Sequence, residues 1–210
     1  MKKVVIATKN EGKLREMKQA LGHLPVEIVS LADFGALPDA VEDADTFLGN
    51  ARIKARFFME QTGCACIADD SGLEVAALGG APGVHSARFA GFHADDGTNN
   101  EKLLAELRNA GVTESDADYR CALVFMDTDG LEVHADGRCD GVIRMTAKGS
   151  NGFGYDPYFY VAKDRTMATR MGNYAVKLLM KDIGNRVVAA QKEEVVDYDI
   201  FEALSMTKSI

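Results

Sequence analysis

One segment constrains this chain more than any other. It is an apolar run, Cys64 to Ala68, followed at once by Asp69-Asp70-Ser71-Gly72. The run reads as a buried strand that breaks at Asp69. Two adjacent carboxylates at the end of such a strand are costly unless they are solvated or meet a cation. The chain must therefore provide sheet neighbours for the strand and positive charge for its acidic end.

Both are in the N-terminal third. Lys3 to Thr8 is rich in β-branched residues and reads as a first buried strand. Asn10 suits the N-cap of a helix over Glu11 to Leu21, on which Leu14, Met17 and Leu21 form an apolar stripe. Val26 to Ser30 is a short second strand. Asp45 or Thr46 caps a helix running to about Gln61, and Gly63 closes it. Further on, Asn99 to Asn109 reads as a helix. Tyr119 to Met126 and Leu131 to Cys139 read as a hairpin across Asp127-Thr128-Asp129-Gly130, with Val142 to Met145 a possible added strand. Residues from about 167 to the end are expected to be mostly helical. An early βαβ order and a later hairpin block predict an α/β fold: an elongated mixed sheet flanked by helices, with a cleft between two lobes. With 210 residues and no linker or repeat, residues 1–210 are expected to act as a single domain.

Charge narrows the partners. The formal net charge is −8, which argues against a nucleic-acid surface. No apolar run approaches the roughly 20 residues of a membrane span. The first apolar run stops at Lys9-Asn10, too early for a secretion signal, so the expected location is cytoplasmic. The charge is also uneven. Lys2, Lys3, Lys9, Lys13, Arg15 and Lys18 crowd the start, whereas Gln19 to Ala51 contains no Lys or Arg but holds Asp33, Asp39, Glu42, Asp43 and Asp45. If the fold joins these segments, the cleft suits phosphate with a divalent metal. Cys64, Cys66, Cys121 and Cys139 form no CxxC pair and read as free thiols, and the four histidines form no ligand-spaced cluster.

Several segments carry chemistry. Thr8-Lys9-Asn10-Glu11-Gly12-Lys13 spans a strand–helix junction, where free N–H groups and a helix dipole favour an anion. Glu42 precedes the second helix, on which Asn50 and Lys54 are spaced to point the same way. Glu42 and Asp70 are candidate metal ligands, and Lys54 is a candidate phosphate contact. Gly152-Phe153-Gly154-Tyr155-Asp156-Pro157 offers aromatic stacking for a base and an acid that accepts from ring N–H groups. Taken singly, these segments also fit a capped turn, a polar turn, a solvated acidic face and a turn with core aromatics.

Taken in order, the motifs resemble the inosine triphosphate pyrophosphatase family of non-canonical purine NTP pyrophosphatases. Ala7 to Lys13, Thr46-Phe47 with Asn50-Ala51 and Lys54-Ala55, and Ile67 to Leu73 come first. Gly79 to Gly83, Ser86 to Gly91 and Gly152 to Pro157 complete the set. The resemblance implies a homodimer that uses Mg²⁺, with Mn²⁺ as a possible substitute, to release pyrophosphate from ITP, dITP or XTP. It implies that Thr8, Lys9, Asn10, Glu11, Gly12 and Lys13 bind the triphosphate and that Asp70 is the essential acid. Glu42 falls at a metal-binding acid, Ser71 contacts substrate, and Phe153, Gly154, Tyr155 and Asp156 hold the base. The tail departs from the family pattern. Lys181-Asp182-Ile183-Gly184-Asn185-Arg186 has Gly-Asn-Arg where the family carries Ser-His-Arg, so Lys181, Asn185 and Arg186 are the base-side candidates. Two rival readings are a pyrophosphatase of different base specificity and a catalytically silent nucleotide-binding protein.

Overall fold

A computed structural model describes residues 2–149, 153–161, 186–191 and 194–199. The chain opens with β1 (Lys3–Ile6), α1 (Glu11–Leu21), β2 (Glu27–Ser30), α2 (Phe47–Thr62) and β3 (Ala65–Val75). It continues through α3 (Asp96–Asn109), β4 (Glu114–Met126), β5 (Glu132–Arg144), β6 (Phe159–Val161), β7 (Arg186–Gln191) and β8 (Glu194–Asp199). Six strands form one mixed sheet in the order β2-β1-β3-β4-β5-β6. β1 pairs parallel with β2 and β3, and the remaining neighbours pair antiparallel. β7 and β8 form a separate antiparallel pair. No helix among the described residues is long and apolar enough to cross a membrane.

The expected helices form where their caps direct. The Asn10 side chain accepts from the Lys13 N–H, Thr46 Oγ1 from Gly49 and Asp95 Oδ1 from Thr98, each satisfying an otherwise orphaned first-turn donor. α3 starts at Asp96, earlier than Asn99, because Asp95 and Thr98 form a reciprocal capping box.

Three expectations are corrected. β3 does not break at Asp69; it runs on to Val75, because Asp69 to Val75 stay in register with Leu123 to Ala117 of β4. The long partner strand outweighs the turn preference of Asp-Ser-Gly. β5 is likewise one strand through Arg144, absorbing the separate piece expected at Val142. Residues 186–191 and 194–199 are strands rather than helix. Their runs Val187-Val188 and Val195-Val196 are β-branched, which favours a pleated backbone.

The core sits in three clusters, and the two-residue period of the strands sorts them by face. Val4, Ile6, Ala65 and Ile67 pack under Leu14, Met17 and Leu21 of α1 on one face. Val5, Ala7, Cys66 and Ala68 pack under Ala51, Ala55 and Phe58 of α2 on the other. Farther along the α1 face, Leu73, Val75, Ala117 and Ile143 pack against Leu103 and Leu107 of α3. Burying a side chain such as Leu73 or Leu107 fully contributes about 1.5–3 kcal/mol. α1 and α3 thus cover two ends of the same face. Between them lie Asp69 and Ser71 of β3 and Cys121 of β4, where no apolar cluster forms.

Candidate active site

The mid-strand position of Asp69-Asp70-Ser71-Gly72 decides the geometry. Alternation along β3 sends Asp69 and Ser71 to the α1 face, and Asp70 and Gly72 to the α2 face. The adjacent carboxylates therefore do not share one pocket. Lys13 Nζ donates to Asp69 Oδ2 at 2.6 Å and to Ser71 Oγ at 2.9 Å. On the other face, Asn50 Nδ2 donates to Asp70 Oδ2 at 3.1 Å, and Asp70 Oδ1 accepts the Ser71 N–H at 3.1 Å.

The edge of β3 that faces β1 is open from Ala68 to Gly72, until the Leu73 N–H donates to Ser86 Oγ and the Val75 N–H to Ala81 O. The last β1 partner is Ile6, and Ala7 N–H donates to Ile67 O at 2.8 Å; among the described residues no strand continues that edge. Lys54 Nζ reaches it, donating to the Asp69 carbonyl at 3.0 Å and pairing with Glu42 Oε2 at 2.9 Å. Asn50 and Lys54 do project together from α2, one to each end of the Asp69–Asp70 pair. We read this edge as the substrate groove, with Lys13 and the start of α1 on one side, and Asp70, Glu42 and Lys54 on the other.

Electrostatics favours different charge states on the two sides. Burial alone would lower the Lys13 ammonium, but the Asp69 carboxylate beside it overrides this and holds it above the ordinary lysine range. Burial raises Asp70 above the usual carboxylate range, and Glu42 adds to the rise; the Lys54 charge and the Asn50 hydrogen bond oppose it only partly. Lys13 is firmly cationic, whereas Asp70 is a carboxylate short of positive charge.

Gly72 fixes how tightly this region closes. A Cβ there would lie 2.4 Å from Gly83 O, 2.5 Å from Ser86 Oγ and 2.9 Å from the Phe47 ring. Only glycine lets β3 lie against the loop at Gly83–Arg88 and the start of α2. A cavity of about 420 Å³ opens beside this contact, lined by Thr46, Phe47, Glu74 and Gly80 to His85.

The Phe153–Asp156 loop comes to the same groove. The Phe153 ring lies 3.6 Å from where a Gly12 Cβ would stand, so the glycine in the first turn of α1 admits the aromatic. Phe153 is exposed and Tyr155 is buried. Only Phe153 is available for stacking; the Tyr155 hydroxyl instead donates to Ser86 O at 2.7 Å and anchors the loop. Asn100 Nδ2 donates to Gly154 O at 2.9 Å, and the Gly154 N–H donates to Asp96 Oδ2 at 2.7 Å. The loop is therefore tied to α3 while its tip touches α1, and it spans the gap between the two helices.

Other expected residues are placed as follows. Thr8 Oγ1 accepts the Asn10 N–H at 3.1 Å, so Thr8 and Asn10 both shape the turn before α1. Lys9 is exposed and pairs with Asp39 at 2.5 Å. Glu11 opens α1 at the surface. Arg186 begins β7, and Lys181 and Asn185 lie outside the described residues. Asp96, Asn100 and Tyr119 join the site without having been expected there, Asp69 joins it as the partner of Lys13 rather than as half of a shared acidic pocket, and Asn50, expected only to point the same way as Lys54, contacts Asp70. The signal for Asn50 was available, since an asparagine four residues before Lys54 on a buried helix face needs a polar partner.

Comparison with known proteins places the chain in a family. Residues 4–175 match the model of the Ham1 family. The chain belongs to the Ham1 family. It is 50% identical over 159 residues to the dITP/XTP pyrophosphatase of Syntrophobacter fumaroxidans, covering 76% of this chain and 68% of that protein. With the dITP/XTP pyrophosphatase of Vibrio cholerae it shares 41% over 194 residues, covering 91% and 94%. The structure of a HAM1 protein from Coxiella burnetii superposes with a TM-score of 0.74 at 36% identity, covering 86% of this chain and 98% of that one. A nucleoside-triphosphatase / dITP/XTP pyrophosphatase from Mycobacterium abscessus superposes with a TM-score of 0.66 at 38% identity, covering 84% and 93%. The Ham1 match ends at residue 175, before the atypical Gly184-Asn185-Arg186.

Proposed function

We propose that this Ham1 protein hydrolyses non-canonical purine nucleoside triphosphates, ITP, dITP and XTP, to the monophosphate and pyrophosphate, with Mg²⁺ or Mn²⁺ as cofactor. Its role would be to cleanse the nucleotide pool, as a cytoplasmic homodimer of single-domain chains. One observation carries the reading: along the open edge of β3, a bound lysine faces one side and an under-compensated carboxylate the other. The names of the relatives supply the reaction class.

The donor chemistry fits a hard divalent cation. Glu42 and Asp70 offer carboxylate oxygens, the type Mg²⁺ and Mn²⁺ take. Mg²⁺ keeps several waters and completes its shell with substrate phosphates, so two carboxylates would be enough to hold it. The cation would offset the burial of Asp70 and, when bound, would polarise the phosphoryl oxygens and lower the pKa of a bound water.

The residues then divide the work. The α1 amides with Thr8, Asn10 and Lys13 hold the phosphates, and Lys54 adds a second cation from the α2 side. Ser71 sits beside Lys13 as a further substrate contact. Asp70 in its carboxylate form is placed to hold the cation or to accept a proton from the attacking water. The water oxygen bonds to the α-phosphorus, the bond from that phosphorus to the bridging oxygen breaks, and pyrophosphate leaves. Phe153 stacks on the base, Asp156 accepts from its ring N–H, and Arg186 with Lys181 and Asn185 serves the carbonyl side.

The test is pyrophosphate release from ITP with Mg²⁺, with excess chelator, and after Mg²⁺ is restored. Chelation should abolish turnover and Mg²⁺ should recover it, with pyrophosphate rather than orthophosphate as product. Full activity in excess chelator, or orthophosphate as the product, would overturn the reading.

A further inference from the structure

We propose that Tyr119 is a positioning residue for base selection: its hydroxyl locks the orientation of Asp156, the carboxylate that reads the purine ring, without touching the nucleotide. The proposal rests on the reading of the Phe153–Asp156 loop as the base site.

The register places Tyr119 beside the groove. Asp69 pairs with Leu123, Ser71 with Cys121 and Leu73 with Tyr119, so Tyr119 and Cys121 occupy the same face as the Lys13 contacts. The Tyr119 ring packs edge-on against Phe159 with centroids 4.7 Å apart, which fixes where the hydroxyl stands. That hydroxyl donates to Asp156 Oδ1 at 3.2 Å, while Asp156 Oδ2 accepts the Phe153 N–H at 3.2 Å. One donor on each oxygen fixes the plane of the carboxylate; either alone would leave it free to swing.

The remaining tethers of the loop do a different job. Asn100, Asp96 and the Tyr155–Ser86 contact hold backbone atoms and a neighbouring ring. Among the described residues, only Tyr119 donates to Oδ1 of Asp156. Burial, reinforced by the Asp156 charge, pushes the Tyr119 phenol far above its ordinary range, so it remains a donor at any working pH.

The consequence is selectivity. A carboxylate can only accept. A 6-oxopurine presents an N1–H donor to it, whereas adenine presents a bare N1 acceptor. A carboxylate fixed in plane cannot turn away from adenine, so the clash of two acceptors is felt in full. Removing the hydroxyl frees the carboxylate to rotate and softens the rejection.

Tyr119→Phe removes the hydroxyl and keeps the ring on Phe159. The kinetics of ITP and ATP hydrolysis, inhibition by inorganic tripolyphosphate and the thermal midpoint are measured on this variant, on Asp156→Asn and on the parent. Tyr119→Phe should lower the ITP-to-ATP ratio of kcat/KM by about tenfold, the scale of one hydrogen bond to a charged group. The change should lie in KM, rising for ITP and falling for ATP, with tripolyphosphate inhibition and midpoint unchanged. If Asp156→Asn collapses the ratio and Tyr119→Phe leaves it intact, the positioning role is overturned and the base site stands. If neither variant moves the ratio, the base-site reading falls and the proposal with it. If Tyr119→Phe lowers kcat for both nucleotides alike along with the midpoint, Tyr119 is merely structural and the proposal is overturned.

Discussion

The proposed phosphate end and the proposed base end of the groove are built in different ways. At the phosphate end the key side chains stand on a regular element or beside its cap, apart from Glu42 in the loop before α2. Lys13 is in the first turns of α1, Asn50 and Lys54 are on α2, and Asp69 to Ser71 are mid-strand. At the base end a short loop is hung from distant residues: Asn100 and Asp96 on α3, Tyr119 on β4 and Ser86 below. Sites on helices and strands inherit the precision of those elements, whereas a loop needs tethers. The two ends should therefore respond to substitution in different currencies, the first in rate and phosphate affinity, the second in base preference.

The largest effect should come at the phosphate end. Asp70→Asn should keep the fold and lose at least ~10²-fold in kcat, the low end for an acid–base group. The same variant should be no less stable than the parent in metal-free buffer at neutral pH. In the folded state Asp70 has a raised pKa, so its ionisation costs the fold more than the unfolded chain. That penalty is absent below the ordinary aspartate range and fully present above the raised value, and asparagine removes it. A rate near the parent's, with Asp69→Asn inactive instead, would reverse the assignment within the pair.

A smaller effect is expected at the base end. Arg186→Ala should lower ITP turnover more than ATP turnover, flattening the preference by up to about tenfold. A guanidinium can only donate and so suits the 6-carbonyl over the 6-amino group. Comparing kcat/KM for ITP and ATP checks this. An unchanged ratio would leave base choice to Phe153, Asp156 and Tyr119.

The same contrast governs what could be read from sequence. α1 and α2 were legible because Asn10, Thr46 and Gly63 punctuate them and an apolar stripe runs between. The strand–helix junction at Thr8 to Lys13 was legible for the same local reason. The true extent of β3 was not, because Asp69-Asp70-Ser71-Gly72 has turn chemistry locally, and only ten residues of pairing with β4 override it. Reading the acidic pair as one site followed from that error; strand alternation separates them. Tyr119 gave no local signal, since its meaning depends on a contact to residue 156. The strands at 186–199 were masked by the expectation that a polar, weakly patterned tail is helical.

The most direct test of the division between the two ends is Lys13→Ala assayed on ITP, XTP, GTP and ATP. On the proposed reading Lys13 serves the phosphates, which all four share, and it also neutralises Asp69, which is buried. Removing it should destabilise the fold by about 2 kcal/mol or more through the uncompensated charge, so activity is measured well below the lowered midpoint. Under those conditions kcat/KM should fall at least about tenfold for every nucleotide, with the order of preference unchanged from the parent. A loss confined to one base, or a reordering of the four, would contradict the account.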